Sequence, residues 1–165
     1  MKLSHAKLII ISGLIWFAAG FYLLQLGLNL LLGGVHFDQK LAGSYPMLKA
    51  MSSYLGSGET AAIILVAIAL FIGYLKGRYV LGKSAHKGVA RILTMPNPVS
   101  LARIYSPKYY VLLGVMMLLG ISMKYLGINN DLRGFIDAII GSALINGAMI
   151  YFKLAQTVKT QSNSR

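Results

Sequence analysis

Polar and basic side chains inside apolar stretches are the residues of this sequence best suited to chemistry. Ser142 and Asn146 are four residues apart within one apolar stretch, Lys76 lies near the end of another, and Asn29 and Asn129 lie near the ends of two more. Such side chains are costly in membrane hydrocarbon, so each is a candidate for a polar pathway. We therefore predict that these five residues line a solute pathway. Lysines near its inner mouth and no central carboxylate would favour anions or polar neutral solutes over cations.

Each of these residues also has a structural explanation. A lysine close to the end of a membrane helix can extend its charged group to the lipid headgroups. Ser142 and Asn146 could hydrogen-bond between helices, an interaction that contributes about 0.6 kcal/mol in measured bundles. Asp137 lies near the start of its apolar stretch, where the helix dipole stabilises an anion. The pathway and the structural explanation both remain open from the sequence.

Catalytic and metal-binding patterns are missing from the chain. It has four acidic residues, three histidines and no cysteine. General acid–base catalysis needs two titratable groups close together, and no two acids share a helical spacing within an apolar stretch. His5, His36 and His86 are distant in sequence and fall on opposite sides of the predicted membrane, so they cannot form one metal site in a monomer. No nucleophile, phosphate-loop or dinucleotide motif occurs. We predict that the protein is not an enzyme and holds no metal or cofactor.

The composition excludes an ordinary soluble domain. Of 165 residues, 56% are hydrophobic and 12% charged, against about 25% charged in soluble domains. A membrane helix needs about 20 mostly apolar residues, and four stretches qualify: about 8–32, 61–81, 109–128 and 135–152. We predict an all-α polytopic membrane protein, a single domain over residues 1–165. Its four transmembrane helices form two tandem hairpins, with an outer loop at 33–60 and a basic cytoplasmic loop at 82–108.

The distribution of basic residues predicts the orientation. Cytoplasmic loops carry an excess of Lys and Arg. With both termini inside, the inner side holds twelve of the sixteen basic residues and the outer side holds all four acids. We predict a multi-pass protein of the cell (inner) membrane with the N- and C-termini in the cytoplasm. The net charge of +12 then reflects topology and contact with anionic phospholipid headgroups, and needs no nucleic acid.

Recurring glycines suggest both a repeat and close helix packing. Gly13, Gly20, Gly27 and Gly34 recur every seven residues, as do Gly120, Gly127, Gly134 and Gly141. An offset of 100 residues matches six identities between the two regions, and an offset of 70 aligns Lys83 with Lys153. Two hairpins related by a parallel repeat would explain this, whereas composition alone is the alternative. Such glycines, and Gly73 with Gly77, favour close helix approach, either inside one chain or in a homo-oligomer.

The loops carry two amphipathic patterns. Met47, Met51 and Leu55 recur at helical spacing in the outer loop, which predicts a short helix there. In the inner loop, Lys83, Lys87, Arg91 and Arg103 alternate with apolar residues. We predict that these four contact anionic lipid or a protein partner, although an ordinary connector would show the same pattern. Pro96 and Pro98 divide the loop, and a second helical piece is expected from an Asn97 cap.

Together these features rank three functions. The first is a small transporter or channel for a polar or anionic solute, working as a homo-oligomer, because four helices enclose little volume. The alternative is a non-catalytic membrane partner or assembly protein that binds another protein or anionic lipid. A lipid-modifying membrane enzyme is the second alternative.

Overall fold

The computed structural model describes residues 2–3, 5–36, 45–94, 99–100, 122 and 125–163. Its helices are α1 (His5–His36), α2 (Pro46–Leu55), α3 (Gly58–Lys76), a π-helical segment (Gly77–Leu81), α4 (Gly82–Leu93) and α5 (Asn130–Asn163). Two-residue strands, β1 (Lys2–Leu3) and β2 (Val99–Ser100), pair antiparallel. The rest of the described part is helical apart from short turns and connecting residues, which confirms the predicted helical class.

Within the described residues, three helices are long and apolar enough to cross a membrane: His5–Gly33, Gly58–Leu93 and Asn130–Thr160. They contain the predicted spans 8–32, 61–81 and 135–152 and extend beyond each of them. The chain is therefore compatible with a multi-pass membrane protein. The predicted span 109–128 lies outside the described residues, apart from Ser122 and 125–128, so the four-helix count stays a prediction.

Helices α1 and α5 pack antiparallel through their glycines. A Cβ added to Gly20 would lie 2.8 Å from the carbonyl oxygen of Gly141, and one added to Gly27 would lie 2.6 Å from that of Gly134. At Gly13 the added atom would instead meet the Phe152 ring at 2.7 Å. Glycine removes the side chain that would hold two backbones apart. The predicted close helix approach is thus confirmed as packing within one chain.

Helix α3 packs on α5 in parallel. A Cβ on Gly73 would lie 2.6 Å from the Ile139 carbonyl oxygen, and one on Gly77 would lie 2.7 Å from the Ala143 carbonyl oxygen. The Ser142 hydroxyl also donates to the Leu70 carbonyl oxygen at 3.3 Å, which ties the same two helices together. The Gly73–Gly77 pair therefore serves packing inside one chain, one of the two roles that its GxxxG spacing allowed.

These directions define two ends of the bundle. Helix α1 begins and helix α5 ends at one end, which we call the terminal end. We call the other end the loop end. There α1 ends, α3 and α5 begin, and α2 lies in the connection from α1 to α3. At the loop end, Leu31, Leu48, Ala61, Leu65 and Ala138 form one apolar core.

Helix α2 confirms the short helix predicted in the outer loop. Its buried residue is Leu48, with Met47 and Met51 partly buried against the core, whereas Tyr54 is 91% exposed. The buried carboxylate of Asp131, at the start of α5, accepts hydrogen bonds from the N–H groups of Met47 (2.6 Å) and Leu48 (3.1 Å). Asp131 thus satisfies two free N–H groups at the N-terminus of α2.

Helix α4 continues the second span and packs at the terminal end. Its residues Ala85, Val89 and Ile92 are buried in a core with Leu8 of α1 and Tyr151 of α5. The Tyr151 hydroxyl lies 2.8 Å from where a Cβ on Gly88 would be, so glycine allows α4 to approach α5. The amphipathic prediction for this part of the loop is confirmed.

The second helical piece expected after the prolines is wrong at two residues. Val99 and Ser100 are extended and pair with Leu3 and Lys2. This pairing joins segments almost 100 residues apart, an option that local helix signals do not reveal. Residues 95–98, with the expected Asn97 cap, lie outside the described part.

Candidate functional site: a basic groove at the terminal end

A groove with a cavity volume of about 760 Å³ lies between the π-helical segment, α4 and α5. We call it the basic groove. One wall comes from the end of α3 through α4, and the other from the second half of α5. Its lining residues are Tyr74, Arg78, Tyr79, Gly82, Lys83, His86, Lys87, Asn146, Met149, Ile150 and Lys153. The volume is in the range of small-molecule sites.

The π-helical segment aligns the first wall of the basic groove. The lining residues recur at intervals of four: 74, 78, 82 and 86 on one line, and 79, 83 and 87 beside it. An α-helix has 3.6 residues per turn, so four residues overshoot a turn by about 40° and such lines drift around the helix. The wider turn, closed by the Gly82 N–H bonded to the Gly77 carbonyl oxygen, offsets this drift. π-helical turns are frequent at functional sites for such reasons.

Hydrogen bonds hold several of the groove's polar groups in place. Arg78 Nη1 donates to the Tyr74 hydroxyl at 2.8 Å, one helical turn earlier. His86 Nδ1 lies 2.8 Å from the Gly82 carbonyl oxygen. A carbonyl oxygen can only accept, so Nδ1 carries the proton and Nε2 is left for another partner. The Asn146 amide donates to the Ser142 carbonyl oxygen at 2.9 Å, within α5.

The charge of the basic groove has a single sign. Arg78, Lys83 and Lys87 stand on one wall and Lys153 on the other, and no Asp or Glu occurs among the lining residues that the structure describes. A cleft with one sign of charge concentrates counter-ions between low-dielectric walls. The arrangement suits an anion.

The five residues predicted to form a pathway occupy different surroundings. Asn146 lines the basic groove, whereas Lys76 is exposed and is not among the lining residues. Ser142 is buried and bonded to α3. Asn29 is exposed on α1, and Asn129 is half-buried, its carbonyl oxygen accepting from the Arg133 N–H at the start of α5. Their predicted role stays a prediction.

Of the four residues predicted to contact lipid or a partner, two line the basic groove. Lys83 and Lys87 both line the basic groove. Arg91 is exposed in the last turn of α4, outside the lining. Arg103 lies outside the described residues.

Sequence reasoning missed several groove residues, among them Tyr74, Arg78, Tyr79 and His86. Arg78 lies close to the end of an apolar stretch, where a lipid-facing arginine is common, and the π-helical turn that places it in the groove leaves no simple signature. One signal did point here. In the structure, Gly77 packs against Asn146 of α5. The packing register of α3 and α4 on α5 is therefore close to the sequence offset of 70 residues that aligns Lys83 with Lys153.

No protein-family model, curated protein or solved structure matches this chain. Within the described residues, no group of three His, Cys, Asp or Glu side chains could hold a metal ion. The site must therefore be interpreted from its own geometry.

Proposed function

We propose that this chain is a small membrane transporter or channel for an anionic solute, and that the basic groove is where the solute binds. The observation that carries the proposal is the opposition of Arg78, Lys83 and Lys87 on one wall to Lys153 on the other around a cavity of about 760 Å³. Four cations without a lining carboxylate attract anions and repel cations.

The location of the groove supports a role at a membrane surface. It lies at the terminal end, just beyond the apolar part of α3, where the chain's basic residues are concentrated. By the positive-inside rule this end faces the cytoplasm. In this proposal an anion enters the groove from the cytoplasm or leaves through it.

Flux measurements in proteoliposomes test the proposal. We expect anions to cross and cations not to. A Lys83→Gln, Lys87→Gln and Lys153→Gln triple variant should lower anion flux at least tenfold, because three of the four lining cations are lost. The matched control removes three exposed lysines elsewhere, Lys7, Lys49 and Lys159, so the net charge is equal. No anion flux, or equal loss in both triple variants, would refute the proposal.

A membrane partner that binds anionic lipid or another protein is the second candidate. One observation favours it: α4 buries Ala85, Val89 and Ile92 and leaves Lys83, Lys87 and Arg91 exposed. A helix of this kind presents a cationic face to the membrane surface or to an acidic partner. Co-purification of a partner that is lost with Arg91→Gln, in a protein without flux, would favour this candidate.

The remaining expectations stay predictions. Neither homo-oligomer formation nor the absence of enzyme activity follows from the groove. A lipid-modifying enzyme would reveal itself by turnover of labelled phospholipid.

A further inference from the structure

The cations of the basic groove suit a ligand with more than one negative charge. Arg78, Lys83, Lys87 and Lys153, all exposed, line one cavity, and like charges that share a cavity repel each other, most strongly at low ionic strength. A monovalent anion such as chloride would neutralise one of these charges and leave three. A phosphoryl group carries about −1.5 to −2 charges at pH 7 and three strong acceptor oxygens, so it can engage several donors together.

Two polar groups of the groove, one donor and one acceptor, are already oriented. Arg78 is held through Nη1 by the Tyr74 hydroxyl, while its other guanidinium N–H groups can pair with two oxygens of one phosphate. His86 is held through Nδ1 by the Gly82 carbonyl oxygen, so in the neutral ring Nε2 is an acceptor for a ligand hydroxyl, such as the P–OH of a singly ionised phosphate group. Oriented donors lose less conformational entropy on binding than free side chains do.

The groove also has an apolar part. Tyr79 and Met149 line it and are 62% and 55% exposed, and Ile150 lines it between them and Lys153. A bare inorganic anion would leave this surface uncovered. An apolar or aromatic group attached to the phosphate would cover it, at about 25 cal/mol per Å² of apolar surface removed from water.

We infer that the basic groove binds a phosphate monoester that carries an apolar group, its phosphate held by Arg78, Lys83, Lys87 and Lys153. This inference rests on the proposed function and names its ligand class. The same chemistry has two sources: a soluble phosphorylated compound or a membrane lipid with a terminal phosphate. The experiment must separate them.

Binding is measured with the full chain in nanodiscs of phosphatidylcholine, a lipid without net charge. The soluble probes are 1-naphthyl phosphate, inorganic phosphate and 1-naphthalenesulfonate, which shares the ring but has one negative charge. Dioctanoyl phosphatidic acid is the lipid probe, and dioctanoyl phosphatidylglycerol, a diester of single charge, is its control. We expect one of the two phosphate monoesters to bind at least tenfold more tightly than its own controls. The controls are inorganic phosphate and the sulfonate for 1-naphthyl phosphate, and phosphatidylglycerol for phosphatidic acid. The monoester that binds more tightly identifies the source.

Variants connect this binding to the groove. Lys83→Gln with Lys87→Gln should weaken binding at least tenfold, and Lys7→Gln with Lys159→Gln should change it less than twofold. Arg78→Lys keeps the charge but loses the paired donors, so it should still weaken binding several-fold.

Equal affinity for the sulfonate and the phosphate, or loss of binding in both lysine pairs, would overturn the inference. Anion flux without phosphate-ester binding would refute this inference and leave the proposed function standing. Phosphate-ester binding without anion flux would refute the proposed function and leave this inference standing.

Discussion

Gly27 of α1 and Gly134 of α5 are in mutual backbone contact. A Cβ on Gly27 would lie 2.6 Å from the Gly134 carbonyl oxygen, and a Cβ on Gly134 would lie 2.9 Å from the Gly27 carbonyl oxygen. Neither position can take a side chain unless the helices separate. The packing that positions the second half of α5, and with it one wall of the basic groove, depends on such contacts.

Gly27→Ala should therefore destabilise the bundle. We expect a loss of about 1–3 kcal/mol, the usual cost of forcing an extra group into a packed interface, seen as a lower midpoint of thermal unfolding in detergent. Gly33→Ala is the matched control on the same helix, because a Cβ there meets no described atom within 4 Å. It should be neutral or stabilising by up to about 1 kcal/mol, since alanine favours helix. Equal midpoints for the two variants would contradict the packing described.

Removal of the Asp131 carboxylate should release the N-terminus of α2. Its two hydrogen bonds to the Met47 and Leu48 N–H groups resemble an N-cap, whose loss costs about 0.5–2 kcal/mol. We expect Asp131→Ala to speed amide hydrogen exchange in α2 while exchange in α3 is unchanged. Glu59→Ala removes another acid at the loop end without touching α2. Unchanged exchange in α2 after Asp131→Ala would show that this contact does not hold the helix.

The pair formed by Arg133 and Asp137 predicts a non-additive response. Asp137 is 4% exposed, and its Oδ2 lies 3.7 Å from Arg133 Nε, while neither atom has a hydrogen-bond partner in the described part of the chain. The Arg133 side chain is 20% exposed and that of Asp137 5%, so removing Arg133 leaves the more deeply buried charge uncompensated, at a cost of up to about 3–5 kcal/mol. Replacing both with apolar groups is often neutral or stabilising.

We therefore expect Arg133→Met to lower the free energy of unfolding sharply and Arg133→Met with Asp137→Leu to recover most of the loss. A double-mutant cycle of thermal or denaturant unfolding measures this coupling. Additive losses in the double variant would mean that the two charges do not depend on each other.

The sequence predicted what depends on local composition. Hydropathy located three spans, and the spacing of Gly20, Gly27, Gly73 and Gly77 predicted close helix contacts, because small residues at regular spacing leave few other roles in an apolar helix. The amphipathic helices α2 and α4 were also predictable, because each depends on the local spacing of apolar and polar residues. Which glycine faces which helix was not predictable, since the contacts join positions more than 60 residues apart.

The site was less predictable than the fold. Asn146, Lys83 and Lys87 were singled out and line the basic groove, but Arg78 and His86 were not. Their placement depends on the π-helical segment at Gly77–Leu81, a backbone feature that packs on α5. Asp131 was read only as an outer acid, because its partners, Met47 and Leu48, lie more than 80 residues away. The predicted span 109–128 and the internal repeat stay predictions.

Labelling of single cysteines from either side of the membrane tests the central claim, that the chain crosses the membrane with the basic groove at its cytoplasmic end. The chain has no cysteine, so each substitution gives a unique site. Tyr54→Cys places a thiol on exposed α2 at the loop end, and Ala90→Cys places one on the exposed side of α4. In right-side-out membrane vesicles, an impermeant maleimide should label the Tyr54→Cys variant directly and the Ala90→Cys variant only after permeabilisation. Direct labelling of both variants, or the reversed pattern, would contradict the account.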